Sequence, residues 1–234
     1  MNMKPIAHIR NDFPTKFGLP RQSGMSEHLI SRIIMEPEYR IPEAFRGIED
    51  FDHLWLIWEF EPMGRREWSP TVRPPKLGGN TRMGVFATRS PNRPNPIGLT
   101  CVKLLSVDRS DSDGVILTVA GADLMNGTAI LDIKPYLPFA DSVPDARTGA
   151  YGPGVQKPLS VEIPSFVADL FSEEQLSVLR EVLSFDPRPG YQSDPDRVYG
   201  FSYGGYDVRF RVTDDTVTVT AALPLQNPPQ DSAL

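Results

Sequence analysis

The chain has 234 residues, 40% hydrophobic and 23% charged, with a formal net charge of −6, the balance of an ordinary folded, water-soluble protein rather than a disordered one. Its single cysteine, Cys101, excludes an intrachain disulfide, and its three histidines stand outside any zinc-ligand spacing, so no bound metal is expected. No segment approaches the roughly eighteen apolar residues of a membrane span, and the 24 prolines, about twice the usual share, disfavour a helical bundle.

In chain order, MNMKPIAHIRNDF carries no apolar run after its charges, so no export segment is expected and the protein is assigned to the cytoplasm. SEHLISRIIME (26–36) fits a strand and a helix equally well. HLWLIWEF (53–60), MGVFATR (83–89), IGLTCVKLLSV (97–107), GVILTVA (114–120) and TAILDIKPYL (128–137) are predicted strands, being short, apolar or β-branched and bounded by turn formers. DRSDSDG (108–114) and LMNGT (124–128) are the explicit turns, and Asn126-Gly127 suits positive φ. Short connections without helical periods indicate antiparallel pairing in a barrel or a sandwich.

The linker RTGAYGPGVQKP (147–158) divides the chain into a β-domain over 1–150 and a smaller α+β domain over 151–234. In the second, LFSEEQLSVLREVLSFDP (170–187) predicts a helix: Ser172 and Gln175 form a capping box, Phe171 and Leu176 hold staple positions, and Asp186-Pro187 ends it. YDVRFRV (206–212) and TVTVTAAL (216–223) predict a hairpin, and the tail QNPPQDSAL is expected to fray.

The candidate functional segment is TRSPNRPNPIGLT (88–100). Each proline fixes φ near about −65° and pushes Ser90, Arg93 and Asn95 toward extended geometry, so the side chains before the prolines are aimed. From Arg65 to Lys103 there are eight basic residues against one acid, leaving 16 bases and 29 acids elsewhere. A basic binding face on an acidic body is the expected result. No glycine-rich dinucleotide or phosphate fingerprint accompanies it, and no nucleophile motif is present. The residues alone thus indicate anion or nucleotide binding. Trp55 and Trp58 are assigned to the barrel wall and His53 to a structural hydrogen bond, whereas Asp132 interrupts an apolar strand and needs a partner.

FGLPRQSGM (17–25), FRGIEDFDHLWLI (45–57), RPPKLGGNTRMGVFATRSPNRPNPIGLT (73–100) and GTAILDIKPYLPFADS (127–142) resemble the TsaA-like family, and closely its bacterial TrmO-type members. DPRPGY (186–191) and YDVRFRVTD (206–214) are similar to the family's C-terminal extension. The resemblance implies a mainly β fold, a small antiparallel non-Rossmann barrel with a C-terminal α+β domain, assembled as a homodimer. It also implies methylation of N6 of threonylcarbamoyl-adenosine at position 37 of tRNA, with S-adenosylmethionine as methyl donor.

Carried over by position, the resemblance implies a donor site of Ser23, Gly24 and Met25, of Pro62 and Met63, of Arg89 and Leu99, and of the run Ala120, Gly121, Ala122 and Asp123. The residue types suit a nucleoside, since Asp123 accepts from hydroxyl or amino groups, the glycines admit close backbone approach and Arg89 pairs with a carboxylate. Asp132 and Tyr136, then His53, are the candidates for accepting the N6 proton. Arg93, between Asn92 and Pro94 and supported by Asn95, is the candidate for the substrate's threonyl carboxylate. Arg65, Arg66, Arg73 and Lys76 are expected to meet tRNA phosphates. The C-terminal domain is expected to widen the tRNA footprint or the dimer contact.

Overall fold

The structure, a computed structural model, describes residues 3–226 apart from 21–22, 25, 27, 61–67, 75–80, 111, 113, 150–157 and 189–193. Six strands make up the N-terminal part, and β1, β2, β3 and the first half of β6 alternate buried with less buried positions: β1 (Ala7–Arg10), β2 (Ile30–Met35), β3 (His53–Glu59), β6 (Ile97–Ser110), β7 (Gly114–Ala120) and β8 (Ala129–Pro135). They close into a barrel of order β1-β2-β7-β6-β3-β8, with every pairing antiparallel. Closure leaves no free edge on this sheet.

Period-two alternation decides which side chains fill the barrel. Along β3, Leu54, Leu56 and Trp58 point inward and are buried, while Trp55 and Ile57 lie on the outer wall and are only half-buried. Ile9, Ile33, Val102, Leu117, Val119 and Ile130 complete the interior. Each such side chain contributes about 1.5–3 kcal/mol on burial. The long β6 shifts register against β7 between Leu104 and Ser106, and β3 shifts against β8 between Ile57 and Trp58. Such irregularities bend a strand and so help a small barrel to close.

Two short strands, β4 (Thr71–Val72) and β5 (Met83–Gly84), form a separate ribbon. The strand predicted over 83–89 is therefore corrected: after Gly84 the chain enters a 3₁₀ turn, Val85–Ala87. Thr88 explains the change, since both its amide and its hydroxyl donate to the Val85 carbonyl and close the turn. The segment 26–36, open between helix and strand, is strand from Ile30 onward. After β8, the chain turns into the short helix α1 (Pro138–Asp141).

The C-terminal part is a four-stranded sheet built from β9 (Ser160–Glu162), β10 (Tyr199–Tyr203), β11 (Tyr206–Thr213) and β12 (Thr216–Pro224), in the order β10-β11-β12-β9. The short helix α2 (Ser165–Ala168) and the longer α3 (Glu173–Ser184) follow β9. Ser172 caps α3 through the predicted reciprocal box with Gln175, and the helix stops at Ser184, with Asp186 at positive φ just beyond. The β11–β12 hairpin matches the prediction, whereas β1, β9 and β10 are additional.

The barrel and the second sheet share an apolar contact. Phe13 packs with ring centroids 4.7 Å from Tyr203 and 6.5 Å from Phe201. Gly18, at φ +95, lies so close beneath Phe201 that a Cβ there would meet Cδ2 at 2.4 Å. Gly204 N–H donates to the Asp12 carbonyl, and the Gln175 amide donates to the Asp12 carboxylate at 3.0 Å.

Candidate functional site at the barrel mouth

Where β7 ends, Gly121 adopts φ +81 and turns the run Ala120–Asp123 across the mouth of the barrel. Its N–H donates to the Leu29 carbonyl at 3.0 Å and its carbonyl accepts from Gly24 N–H at 3.1 Å. A Cβ at Gly121 would sit 3.3 Å from the Gly24 nitrogen, so both backbone angle and space require glycine here. Gly24 also has positive φ, with open space on its Cβ side. The turn Ser23–Gly24 and the run Ala120–Asp123, about a hundred residues apart in the chain, thus form one wall.

Asp123 is the chemical centre of this wall. Thr100 Oγ1 donates to its carboxylate at 2.7 Å and accepts in turn from Trp58 Nε1 at 2.9 Å. Burial pushes the Asp123 carboxyl above the ordinary 3.8; the Thr100 hydroxyl, its own N–H, the Arg89 charge and the Ser23 N–H pull it back only in part. A carboxyl held this way accepts hydrogen bonds from a ligand in a partly dry setting. Gly98 makes the relay possible, because a Cβ there would meet the Trp58 indole at 2.2 Å. The glycine of the PNPIGLT run is therefore required by packing inside the barrel.

The proline-rich segment is braced by its own arginine. Arg93 Nη1 donates to the Thr88 carbonyl at 2.8 Å and to the Ser90 carbonyl at 3.2 Å. Asn92 N–H meets Ser90 Oγ, and Phe60 N–H meets the Pro96 carbonyl at 2.8 Å. Arg89, Asn92 and Asn95 remain exposed on the resulting rim, as does Arg73 at the end of β4. Leu99 is 58% exposed and belongs to the outer wall.

The three proton-acceptor candidates are distributed along the outside of β3 and β8. Asp132 faces Ile57 across β8 and β3, and Ile57 faces Leu99 across β3 and β6, so the three form one outer row. The Asp132 carboxylate is held by Lys134 at 2.6 Å and by the Ile133 amide at 2.9 Å. Tyr136 N–H donates to the His53 carbonyl, with the two rings 6.2 Å apart edge to face, and Trp55 lies 5.6 Å from Tyr136. His53 pairs with Lys103, three residues along β6 from Thr100, about 10 Å at strand rise, and its side chain is exposed whereas Thr100 is buried. The His53 and Tyr136 rings thus lie on the outside of the wall, and the Thr100–Asp123 pair on its inner side.

Comparison with known proteins decides the family. The family model described as the tRNA-methyltransferase O N-terminal domain matches residues 8–142, and that of the TrmO C-terminal domain matches 156–224. The chain belongs to the tRNA-methyltransferase O family. It is similar to the tRNA (adenine(37)-N6)-methyltransferase of Escherichia coli, 42% identical over 94% of this chain and 96% of that one. A relative in Pseudomonas aeruginosa, 36% identical over 89% of this chain and 91% of its own, carries S-adenosylmethionine-dependent methyltransferase in its name. The crystal structure of TrmO from Pseudomonas aeruginosa superimposes with a TM-score of 0.75 at 29% identity, covering 95% of this chain and 98% of that one.

Seen as a member of this family, the chain brings Ser23, Gly24, Arg89 and Ala120 to Asp123 to the barrel mouth and leaves Leu99 and Asp132 on its flank. Met25, Pro62, Met63, Arg65, Arg66 and Lys76 lie outside the described residues. Thr100 and Trp58 were not among the sequence candidates for the site. A threonine on the inward face of an apolar strand was the available signal, since a buried hydroxyl needs a partner. Among the described residues no helix is long and apolar enough to cross a membrane.

Proposed function

We propose that this chain transfers a methyl group from S-adenosylmethionine to N6 of threonylcarbamoyl-adenosine at position 37 of tRNA. Family membership makes it a tRNA methyltransferase, and the name of the E. coli relative supports adenine 37 as the target. The observation that carries the donor assignment is the half-buried Asp123 carboxyl beside the two positive-φ glycines Gly24 and Gly121. Those residues fit a nucleoside with free hydroxyl and amino donors, and the exposed Arg89 fits an amino-acid carboxylate. When bound, S-adenosylmethionine supplies an electrophilic methyl group on a cationic sulfur.

The rest is positioning by this chain's own groups. Thr100 fixes the Asp123 carboxylate so that its remaining lone pairs face the mouth. Arg93 spends one nitrogen on its own loop, and its remaining edge, with Asn95, takes the threonyl carboxylate of the substrate. Asp132 is the in-chain acceptor for the N6 proton. Tyr136 and His53, on the outer face of the wall, serve the mouth of a second copy in a homodimer. Arg65, Arg66, Arg73 and Lys76 bind phosphates flanking the modified base. The division near residue 150, and a cytoplasmic location, belong to the same proposal.

The test is mass spectrometry of anticodon-loop digests from a strain lacking the gene, complemented with parent or with Asp123→Ala. The expected result is a methyl mark on the threonylcarbamoylated base restored by the parent only. A methyl mark on unmodified adenine, or none with the parent, overturns the substrate assignment.

A further inference from the structure

Helix α3 of the C-terminal part reaches into the donor wall of the barrel. Gly24 and Leu29 are both tied to one residue, since Gly121 accepts from Gly24 N–H and donates to the Leu29 carbonyl. Between these two in sequence, Ser26 Oγ donates to Glu181 Oε2 at 2.6 Å, across 155 positions of sequence. His28 Nδ1 lies 3.2 Å from the same oxygen, and His28 N–H points at it from 3.5 Å. Ser26 is 1% exposed, so its hydroxyl depends on a protein partner. Its carbonyl, moreover, lies 3.7 Å from where a Gly121 Cβ would be.

Glu181 is well placed to hold this segment still. Earlier on α3, Gln175 is fastened to the Asp12 carboxylate, and its carbonyl accepts from the Tyr203 hydroxyl at 3.0 Å. Gln175 and Glu181 are six residues apart, about 9 Å along the helix. The inner face of α3 is sunk in the core through Val178, Leu179, Val182 and Leu183. The helix is therefore a rigid bar clamped to the barrel near one end, with Glu181 gripping the segment that carries Gly24 near the other.

We propose that Glu181 is a positioning residue for the methyl donor, holding the turn Ser23–Gly24 against Gly121 and Asp123 through Ser26. The C-terminal part then sets donor affinity, beyond any share it has in the tRNA footprint. This rests on the donor site assigned above. Preorganisation of this kind acts on binding, because the cost of ordering the segment is met before the ligand arrives.

The experiment compares Glu181→Ala, Glu181→Gln, Ser26→Ala and Asp123→Asn in the full-length protein, by calorimetry with S-adenosylmethionine and by steady-state methylation of modified tRNA. Glu181→Ala and Ser26→Ala are expected to raise the Kd and KM for the donor about tenfold. The kcat at saturating donor and the KM for tRNA stay within twofold, and Glu181→Gln, which keeps an acceptor for Ser26, stays near the parent. Parental donor affinity in both alanine variants, with Asp123→Asn impaired, overturns the role of Glu181 alone. Parental affinity in Asp123→Asn as well overturns the donor site and this inference together. Loss of kcat and of tRNA affinity in step with thermal stability, without a donor-specific change, marks Glu181 as merely structural and overturns its positioning role. Ser26→Ala, a small change, keeps the question open to test if Glu181→Ala fails to fold.

Discussion

At Asp123 the burial of one carboxyl carries a stability cost at the site proposed for the methyl donor. Its carboxyl is raised by burial, so the folded state holds a proton that the unfolded chain has already lost above about pH 3.8. Stability therefore falls as pH rises from that value through the raised one, and the cost is constant above it. Asp123→Asn removes the cost: its melting temperature at pH 7 is expected to equal or exceed the parent's, while donor affinity falls at least tenfold. Denaturation from pH 3.5 to 7, with calorimetry at pH 7, checks both, and a lower melting temperature in the variant contradicts the sign. Gly98 has the opposite character. Gly98→Ala forces a Cβ into the Trp58 indole, and overpacking of this kind costs about 1–3 kcal/mol or more. Urea unfolding is expected to show that loss together with weaker donor binding, since the same indole holds Thr100.

At the scale of elements, the proline segment and α3 were legible in the sequence for the same reason: their conformations are set by neighbours along the chain. Ser172→Ala removes one half of an observed capping box and is expected to cost about 1 kcal/mol, or about 2–4 °C in a chain of this length. Differential scanning calorimetry measures it. In the proline segment, Arg93 braces its own loop through the Thr88 and Ser90 carbonyls, a role that its sequence position alone could not reveal. Arg93→Lys keeps the charge but loses the planar fork. The expected outcome is a tenfold or greater fall in kcat/KM on threonylcarbamoylated tRNA, with donor Kd unchanged. Equal kcat/KM for parent and variant would remove Arg93 from substrate recognition. The strand predicted over 83–89 failed for a local reason of the opposite kind, a threonine hydroxyl competing with sheet pairing for one carbonyl.

For the whole molecule, charge is unevenly distributed: the bases cluster between Arg65 and Lys103, while the chain as a whole is acidic. Binding of tRNA through phosphates releases counterions, so log K is expected to fall steeply and linearly with log salt, and replacing Arg73 by Ala should reduce the slope by about one unit. Filter binding across a salt series measures this, and a flat response would place the tRNA elsewhere. Local sequence specified four of the six barrel strands (β3, β6, β7 and β8), the β11–β12 hairpin, the turns and the helix cap, because turn chemistry, strand periodicity and capping act between residues a few positions apart. It also singled out Gly24, Arg89, Gly121 and Asp123, through resemblance to a family. The three-dimensional fold alone shows that β1 and β8 meet to close the barrel, that Thr100, itself held by Trp58, fixes Asp123, and that His53 and Tyr136 lie on the outside of the wall. Only the fold, too, put Glu181 on Ser26. These are contacts between residues tens to more than a hundred positions apart, and no local period or propensity encodes them.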